Sequence, residues 1–185
     1  MKAPFTSFLV IALGCLVQAQ AETPVQSDFQ QYQFTGRWFS IGLASNSSWF
    51  QENKQVMKMY TTVVTPTEDG SLEVSSTYPK LDQCETRKTL FSQMEQPGHF
   101  SYTSPRSGNY DEFLVVETNY EEYVLLFAKM SNVGETSTMV MLYGRSKQLQ
   151  ADLLEKFTQV ALAEGLTQDD ILILPRTDLC MAESV

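Results

Sequence analysis

The sequence predicts an all-β protein, an eight-stranded up-and-down antiparallel barrel with one C-terminal α-helix packed outside. Three observations support this fold class. β-prone segments recur about every ten residues, tight-turn sequences at residues 67–70 and 105–109 separate neighbouring segments, and a single helical pattern follows the last segment. Closure into a barrel would leave no exposed sheet edge. A β-sandwich built from the same strands is the main alternative.

The predicted strands are rich in β-branched and aromatic residues, which favour a pleated backbone. Gly, Pro, Asn and Asp lie between them, so we expect consecutive strands to be antiparallel. Residues 22–34 are more polar and are interpreted as an N-terminal arm that packs against the domain. The eight predicted strands are 38–44, 56–65, 72–78, 84–93, 100–104, 112–118, 123–129 and 137–145.

The predicted helix covers residues 147–164, and Gly165 stands where a helix stop is expected. Its polar side carries both signs of charge, which favours packing against the barrel over binding to a membrane surface. A short ninth strand is expected at residues 171–174, before Pro175. The apolar side chains that recur every three or four residues are Leu149, Leu153, Phe157 and Val160.

The composition excludes several classes of function. The formal net charge is −9 and the basic residues do not cluster, which argues against a nucleic-acid partner. The chain has one histidine, His99, so we expect no histidine-based metal site and no Ser-His-Asp triad. We therefore expect neither a metal nor another cofactor.

The N-terminal residues predict secretion. Lys2 precedes an apolar stretch at residues 5–17, and residues 19–21 have the small-x-small pattern of a signal-peptidase site. We predict cleavage after residue 21, which divides the chain into a signal peptide, 1–21, and one extracellular domain, 22–185. A membrane anchor is the alternative, but the apolar stretch is shorter than the roughly 20 residues that a spanning helix needs.

The cysteine count fits an oxidising compartment. Cys15 lies in the segment that would be removed, which leaves Cys84 and Cys180 as a pair. We predict one disulfide between them, with two free thiols as the alternative. Asn46 begins the sequon Asn46-Ser47-Ser48 and is a candidate glycosylation site on an early loop.

Bulky, adaptable side chains on the predicted strands are suited to line an apolar pocket inside the barrel. An ordinary filled core would use the same residue types. The period-two pattern alone leaves open which set of alternating residues faces inward. The candidates are Met57, Met59, Met139, Met141, Phe113, Phe127, Tyr123 and Tyr143.

Three short motifs, in this order and spacing, resemble the signatures of the lipocalin family: Gly36-Arg37-Trp38, Thr118-Asn119-Tyr120, and Arg145 after the eighth strand. The resemblance implies that Trp38 closes the barrel floor and that Arg145 lies over its indole in a cation–π contact. Asn119 replaces the aspartate that is usual in the second signature. It keeps a turn-forming side chain without the charge.

Longer runs resemble the lipocalin-type prostaglandin D synthase branch of this family, at residues 36–49, 83–87, 115–118, 155–158 and 174–181. The resemblance implies a nucleophilic cysteine on the second strand, but Tyr60 occupies that position. Ser40, Thr62 and Ser76 match the hydroxyl groups that surround it. A phenol with a pKa near 10 is far less readily ionised than a thiol. We therefore expect no catalytic residue, and enzyme activity is left open.

The leading hypothesis is a secreted, monomeric carrier of a small lipophilic ligand. A retinoid is the first candidate, with a bile pigment, a thyroid hormone or a fatty acid as others. Lys54 and Lys58 could meet a ligand carboxylate at the mouth, or form an ordinary solvated rim. We expect no stable membrane insertion. The alternatives are a prostaglandin isomerase retained without the cysteine, and a scaffold whose loops bind a protein such as a cell-surface receptor.

Overall fold

A computed structural model describes residues 23–181 of the chain, with the exception of residues 82 and 133. The predicted signal peptide lies outside the described residues. In the described part, no helix has both the length and the apolar character that crossing a membrane requires.

The strands of the described chain form one antiparallel sheet in the order β2-β3-β4-β5-β6-β7-β8-β1-β9, and β2 also pairs with β1. Because β1 pairs with both β2 and β8, the sheet closes into the eight-stranded barrel that the sequence predicts. The strands are β1 Gly36–Ser45, β2 Thr61–Pro66, β3 Leu72–Lys80, β4 Gln83–Gln93, β5 His99–Thr103, β6 Tyr110–Thr118, β7 Tyr123–Asn132, β8 Glu135–Gly144 and β9 Ile171–Ile173.

The second strand begins later than the predicted residue 56. The chain after β1 forms helix α2, Ser48–Asn53, and a 3₁₀ turn, Lys54–Val56, before β2 begins at Thr61. Ser47 caps α2 by accepting a hydrogen bond from the Phe50 N–H, and the Phe50 side chain is fully buried. A cap and one apolar anchor therefore stabilise a short helix between β1 and β2, where the sequence analysis predicts none, and residues 57–60 of the predicted strand precede β2.

The late start of β2 leaves part of one edge of β1 for the ninth strand. β2 pairs with residues 36–39 of β1, and β9 pairs with residues 42–44. The short ninth strand that the sequence predicts thus covers backbone groups that would otherwise be an exposed edge. The N-terminal arm also contains one turn of helix, α1 Gln31–Phe34, which the sequence analysis does not predict.

The C-terminal helix α3, Ala151–Ala163, is shorter than the predicted 147–164 but presents the predicted apolar face. Leu153, Phe157 and Ala161 are buried against the outside of the barrel. A Cβ atom at Gly42 of β1 would lie 2.7 Å from Cε1 of Phe157, so the helix rests directly on the backbone of β1. The close approach therefore favours glycine over any residue with a Cβ atom at this position.

The predicted disulfide between Cys84 and Cys180 is confirmed, with the two Cα atoms 5.5 Å apart. It joins β4 to the C-terminal tail across a sequence separation of 96 residues. Cross-linking a chain over such a distance restricts the unfolded state, which stabilises the fold by up to about 4 to 5 kcal/mol in the chain-entropy account.

We predict that Gly42→Ala lowers the free energy of unfolding by about 1 to 3 kcal/mol, because the added methyl group overlaps the Phe157 ring. Urea unfolding of Gly42→Ala, Phe157→Leu and the double variant measures the effect. The cost of Gly42→Ala should fall in the Phe157→Leu background, where the ring is absent. If the two substitutions lower the free energy of unfolding additively, overlap with the Phe157 ring is not the cause of the destabilisation by Gly42→Ala.

Candidate ligand-binding cavity

The floor of the barrel is built around Trp38 at the start of β1. The guanidinium carbon of Arg145 lies 3.7 Å from the centroid of the Trp38 ring. The indole N–H donates to the carbonyl oxygen of Phe34, at 2.8 Å, and the Phe34 ring contacts the indole. The lipocalin-like motifs therefore meet at one end of the barrel, in the arrangement that the resemblance implies.

Arg145 also ties the N-terminal arm to the floor. Its Nε donates to the carbonyl of Tyr120, its Nη1 to that of Arg37, and its Nη2 to those of Gln33 and Thr35, at 2.7 to 3.0 Å. Burial lowers the pKa of the guanidinium. The Arg145 guanidinium thus donates four hydrogen bonds to backbone carbonyl oxygens and holds several chain segments together.

Asn119 shapes the turn next to this floor. Its Oδ1 accepts hydrogen bonds from the backbone N–H groups of Glu122 and Tyr123, at 2.9 and 3.2 Å. Tyr120 follows with a positive φ of 65°, and its hydroxyl accepts a hydrogen bond from the N–H of Gln30. The Asn119 amide nitrogen also donates to Glu122 Oε2 at 3.3 Å. The neutral amide therefore makes the turn contacts through both its oxygen and its nitrogen.

A cavity of about 270 Å³ lies above Trp38 inside the barrel. Its wall is mainly apolar and includes Trp49 of α2, which is 58% exposed and marks the end of the cavity called the mouth. The wall residues are Phe34, Trp38, Leu43, Trp49, Met57, Tyr60, Thr62, Val64, Leu72, Val74, Ser76, Tyr78, Thr89, Phe91, Phe100, Phe113, Leu114, Val115, Val124, Leu126, Met139, Met141 and Tyr143.

The structure brings many of the candidate binding residues into this wall. The cavity is lined by the predicted residues Met57, Tyr60, Phe113, Met139, Met141 and Tyr143. Thr62 and Ser76 also line it. Most wall residues of β3 are not among the predicted binding residues, although Leu72, Val74, Ser76 and Tyr78 follow the period-two pattern of an inward face.

Other candidates lie outside the wall. The Lys54 ammonium group donates to Gln51 Oε1 and to the carbonyl of Asp169, at 2.7 and 2.6 Å, and Lys58 is exposed to solvent. Met59 is buried, with its backbone N–H bonded to Pro175. Neither lysine is a wall residue, so the structure places no ammonium group there for a ligand carboxylate.

Tyr123 and Phe127 lie on the alternate residues of β7 and are also absent from the wall, to which Val124 and Leu126 contribute. The Tyr123 hydroxyl donates to Glu117, which also accepts a 2.6 Å hydrogen bond from Lys156 of α3. This cluster joins the helix to the barrel. The period-two pattern left open which residues of β7 face inward. In the structure, Tyr123 and Phe127 lie on the outer face of this strand.

Tyr60 is part of a cluster of hydroxyl groups in the wall. Its hydroxyl shares a 2.7 Å hydrogen bond with that of Tyr143, and its ring centroid lies 4.4 Å from that of Tyr78. The hydroxyls of Thr62 and Ser76 share a second hydrogen bond of 2.9 Å. These groups form the polar part of an otherwise apolar wall.

Ser40 lies behind the wall and fixes the backbone of Tyr60. Its hydroxyl accepts a hydrogen bond from the Tyr60 N–H at 2.8 Å and donates to the Tyr60 carbonyl at 3.1 Å. Ser40 is fully buried and is not a wall residue. Tyr60 and the three residues expected around it are therefore close together, but Ser40 supports the backbone, whereas Tyr60, Thr62 and Ser76 face the cavity.

Burial keeps the paired phenols in their neutral form. It raises the pKa of Tyr60 well above its ordinary value, and the nearby Tyr143 and Tyr78 phenols raise it further. Burial also raises the pKa of Tyr143. Both groups therefore remain protonated hydrogen-bond donors at neutral pH.

The wall contains no lysine, arginine, histidine, aspartate or glutamate side chain among the described residues. The described part of the chain also has no group of three or more His, Cys, Asp or Glu residues that could hold a metal ion. The cavity wall therefore offers a ligand apolar surface and a few neutral hydroxyl groups.

Asn46, the candidate glycosylation site, is exposed at the end of β1 next to α2. Its Oδ1 accepts a 2.9 Å hydrogen bond from the backbone N–H of Thr138. This contact uses the amide oxygen, whereas an N-linked glycan is attached through the amide nitrogen. Glycosylation at Asn46 stays a prediction.

Comparisons with known proteins agree with this architecture. A sequence profile of the Lipocalin / cytosolic fatty-acid binding protein family matches residues 35–178. The chain is 49% identical to a protein of Rhinella marina named "Lipocalin" over 183 residues, which cover 99% of this chain and 100% of that protein. It is 48% identical to the "Prostaglandin-H2 D-isomerase" of Canis lupus familiaris over 178 residues, or 95% of this chain and 93% of that protein.

A solved structure described as "The Siderocalin Ex-FABP functions through dual ligand specificities" has a similar fold. The TM-score is 0.68 with 29% sequence identity, and the match covers 78% of this chain and 95% of that chain. The similarity extends over most of the barrel and not only over the short motifs.

We predict that the stability of the protein falls as the pH rises above about 10, where unfolded phenols ionise. The raised pKa values of Tyr60 and Tyr143 mean that these groups keep their protons in the folded state and lose them first in the unfolded state. Their contribution is therefore complete below about pH 10 and is lost above it. Urea unfolding over this pH range measures the loss.

The variant Tyr60→Phe/Tyr143→Phe should lose less stability over the same pH range. Tyr32→Phe removes a phenol that is mostly exposed and serves as the control, with a pH dependence like that of the unmodified protein. An unchanged pH dependence in the double variant would contradict the prediction. Tyr78 and Tyr123 also have raised pKa values, so part of the effect should remain.

Proposed function

The chain belongs to the lipocalin and cytosolic fatty-acid binding protein family, and on this premise we propose that it is a secreted carrier of a small lipophilic molecule. A retinoid is the first candidate ligand, and a bile pigment, a thyroid hormone or a fatty acid would also suit an apolar interior. The proposal rests mainly on one observation, the apolar cavity inside the barrel, whose wall includes the exposed Trp49. Secretion is supported by the N-terminal sequence pattern and by the disulfide.

Binding in such a cavity is driven by the removal of apolar ligand surface from water, at about 25 cal/mol per Å². Because a closed barrel surrounds the cavity, little ordering of the protein opposes binding. Trp38 lies at the floor and Trp49 at the exposed end, so apolar rings contact both ends of the space. The protein would keep in solution a lipophilic ligand that otherwise partitions into membranes.

A second candidate function is isomerisation of a prostaglandin endoperoxide, which the names of several relatives favour. The described residues offer no free thiol for this chemistry, since Cys84 and Cys180 are joined. Tyr60 occupies the position where the resemblance implies the nucleophile, and burial raises the pKa of its phenol. A neutral phenol is a poor nucleophile, so the geometry supports carriage better than catalysis.

We predict that retinoic acid quenches tryptophan fluorescence saturably, and that Val74→Phe weakens its binding by at least about tenfold by filling part of the cavity. Val63→Phe is a matched control, because Val63 lies on the adjacent strand outside the wall and is partly exposed. Titration of Trp49→Phe isolates the signal of Trp38, as the chain has two tryptophans.

Equal weakening by both phenylalanine variants would show that the ligand does not occupy the cavity. Absence of binding by retinoids, bilirubin, thyroxine and fatty acids alike would reject the carrier function. It would favour a scaffold that binds a protein through its loops.

We predict that the unmodified protein does not accelerate conversion of prostaglandin endoperoxide to the D-series product, and that Tyr60→Cys gains thiol-dependent activity. The variant would place a thiol beside the Thr62 and Ser76 hydroxyls, on a backbone held by Ser40. Product analysis with and without a thiol-blocking reagent measures the effect. Tyr60→Ser is the matched control, since it opens the same space without a sulfur atom.

Turnover by the unmodified protein above the uncatalysed rate would overturn the assignment as a carrier without chemistry. If Tyr60→Cys folds and reacts with thiol reagents but forms no product, the remaining wall does not support the reaction.

A further inference from the structure

The two buried phenols of the wall, Tyr60 and Tyr143, have two O–H donors, but only one of them is used in the hydrogen bond between the two side chains. Tyr60 and Tyr143 share a single hydrogen bond, and either hydroxyl can be its donor. One O–H proton is therefore left over. On Tyr143 it meets the sulfur of Met141, 3.9 Å from the phenol oxygen, and the nearby Thr62 hydroxyl, which already shares a hydrogen bond with Ser76. A thioether sulfur is a weak acceptor. Leaving a buried donor poorly paired is costly, and a stronger acceptor on a ligand would remove that cost.

The phenol pair is held in place before a ligand arrives. Ser40 fixes the Tyr60 backbone, and the Tyr60 ring contacts the rings of Tyr78 and Tyr143. Tyr60 and Tyr143 are only 5% and 8% exposed, and both contribute to the cavity wall. A donor fixed in this way loses little conformational entropy on binding.

The same wall disfavours a negative charge. No cationic side chain lines the cavity among the described residues. Burying a carboxylate without a positive partner costs far more than burying a neutral carbonyl group that accepts a hydrogen bond. A carboxylate ligand would therefore keep its charged end towards the solvent at the mouth.

We propose that the Tyr60–Tyr143 pair donates a hydrogen bond to an uncharged carbonyl oxygen, so that the interior of the cavity selects the aldehyde, ketone or ester end of an apolar ligand. This inference rests on the proposed carrier function and adds which chemical group of the ligand lies in the interior of the cavity. Carboxylic acids with the same skeleton bind in the opposite orientation and make no use of the pair.

Retinal and retinoic acid test the proposal, since they share a skeleton and differ in the terminal group. Tyr60→Phe/Tyr143→Phe should weaken retinal about tenfold, as expected for loss of a buried hydrogen bond, and change retinoic acid by less than about twofold. The single variants identify the donor, whose loss should approach the effect of the pair. Tyr102→Phe is the control, because Tyr102 contacts Phe91 but is not a wall residue.

The infrared carbonyl stretch of bound retinal gives a second measurement on the unmodified protein. It should lie below the frequency in hexane and return towards it in the double variant. Equal affinity of the double variant for retinal, or an unshifted stretch, overturns the proposal while leaving the carrier function intact. The same holds if Thr62→Val, but not the double variant, weakens retinal. Failure of both retinoids to bind the unmodified protein rejects this inference, and the carrier function is then judged by the wider ligand titration.

Discussion

The structure depends on the two-sided pairing of β1. This strand bonds to β8 on one side and to β2 and β9 in succession on the other, and that pairing turns a twisted sheet into a closed barrel. A closed barrel supports its wall by backbone hydrogen bonds and does not need a filled interior to hold its strands together. The outer face of β1 carries Gly42, on which Phe157 of α3 lies. Much of the apolar packing can therefore lie outside the barrel while a cavity remains within it.

The position of Tyr60 decides what the cavity can do. The family resemblance implies a cysteine there, and the surrounding Ser40, Thr62 and Ser76 match the expected hydroxyl groups. In this chain the phenol occupies space in the wall and joins Tyr143 through a hydrogen bond. Burial favours the neutral form of both phenols. The same polar patch that would surround a thiol is thereby suited to donate a hydrogen bond.

Much of the fold could be predicted from sequence because its determinants are local. Turn residues separate the strands, the spacing of Leu153 and Phe157 predicts the apolar face of α3, and Cys84 and Cys180 form the expected pair. The interior was harder to predict. The side on which Tyr123 or Tyr143 points depends on strand register and on the bulge between Ser40 and Gly42, which are set by pairing with distant strands.

The mouth was also difficult to predict, for a different reason. No helix is predicted between the first two strands, but Ser47 and Phe50 stabilise a short one there. That helix brings Trp49 to the exposed end of the cavity, whereas Lys54 turns towards Asp169. Contacts made only in the folded protein thus determine which residues of this segment reach the cavity.

A methyl NMR titration of the methionine-labelled protein with retinoic acid tests directly whether the barrel interior holds the ligand. Met57, Met139 and Met141 line the cavity, whereas Met94, Met130 and Met181 do not. The signals of the three wall methionines should shift and saturate at one ligand per chain, while those of Met94, Met130 and Met181 stay nearly unchanged; Met59 is next to the wall residue Tyr60 and is not used as a control. Shifts confined to methionines outside the wall, or none at all with a ligand shown to bind, would contradict the claim that the barrel interior holds the ligand.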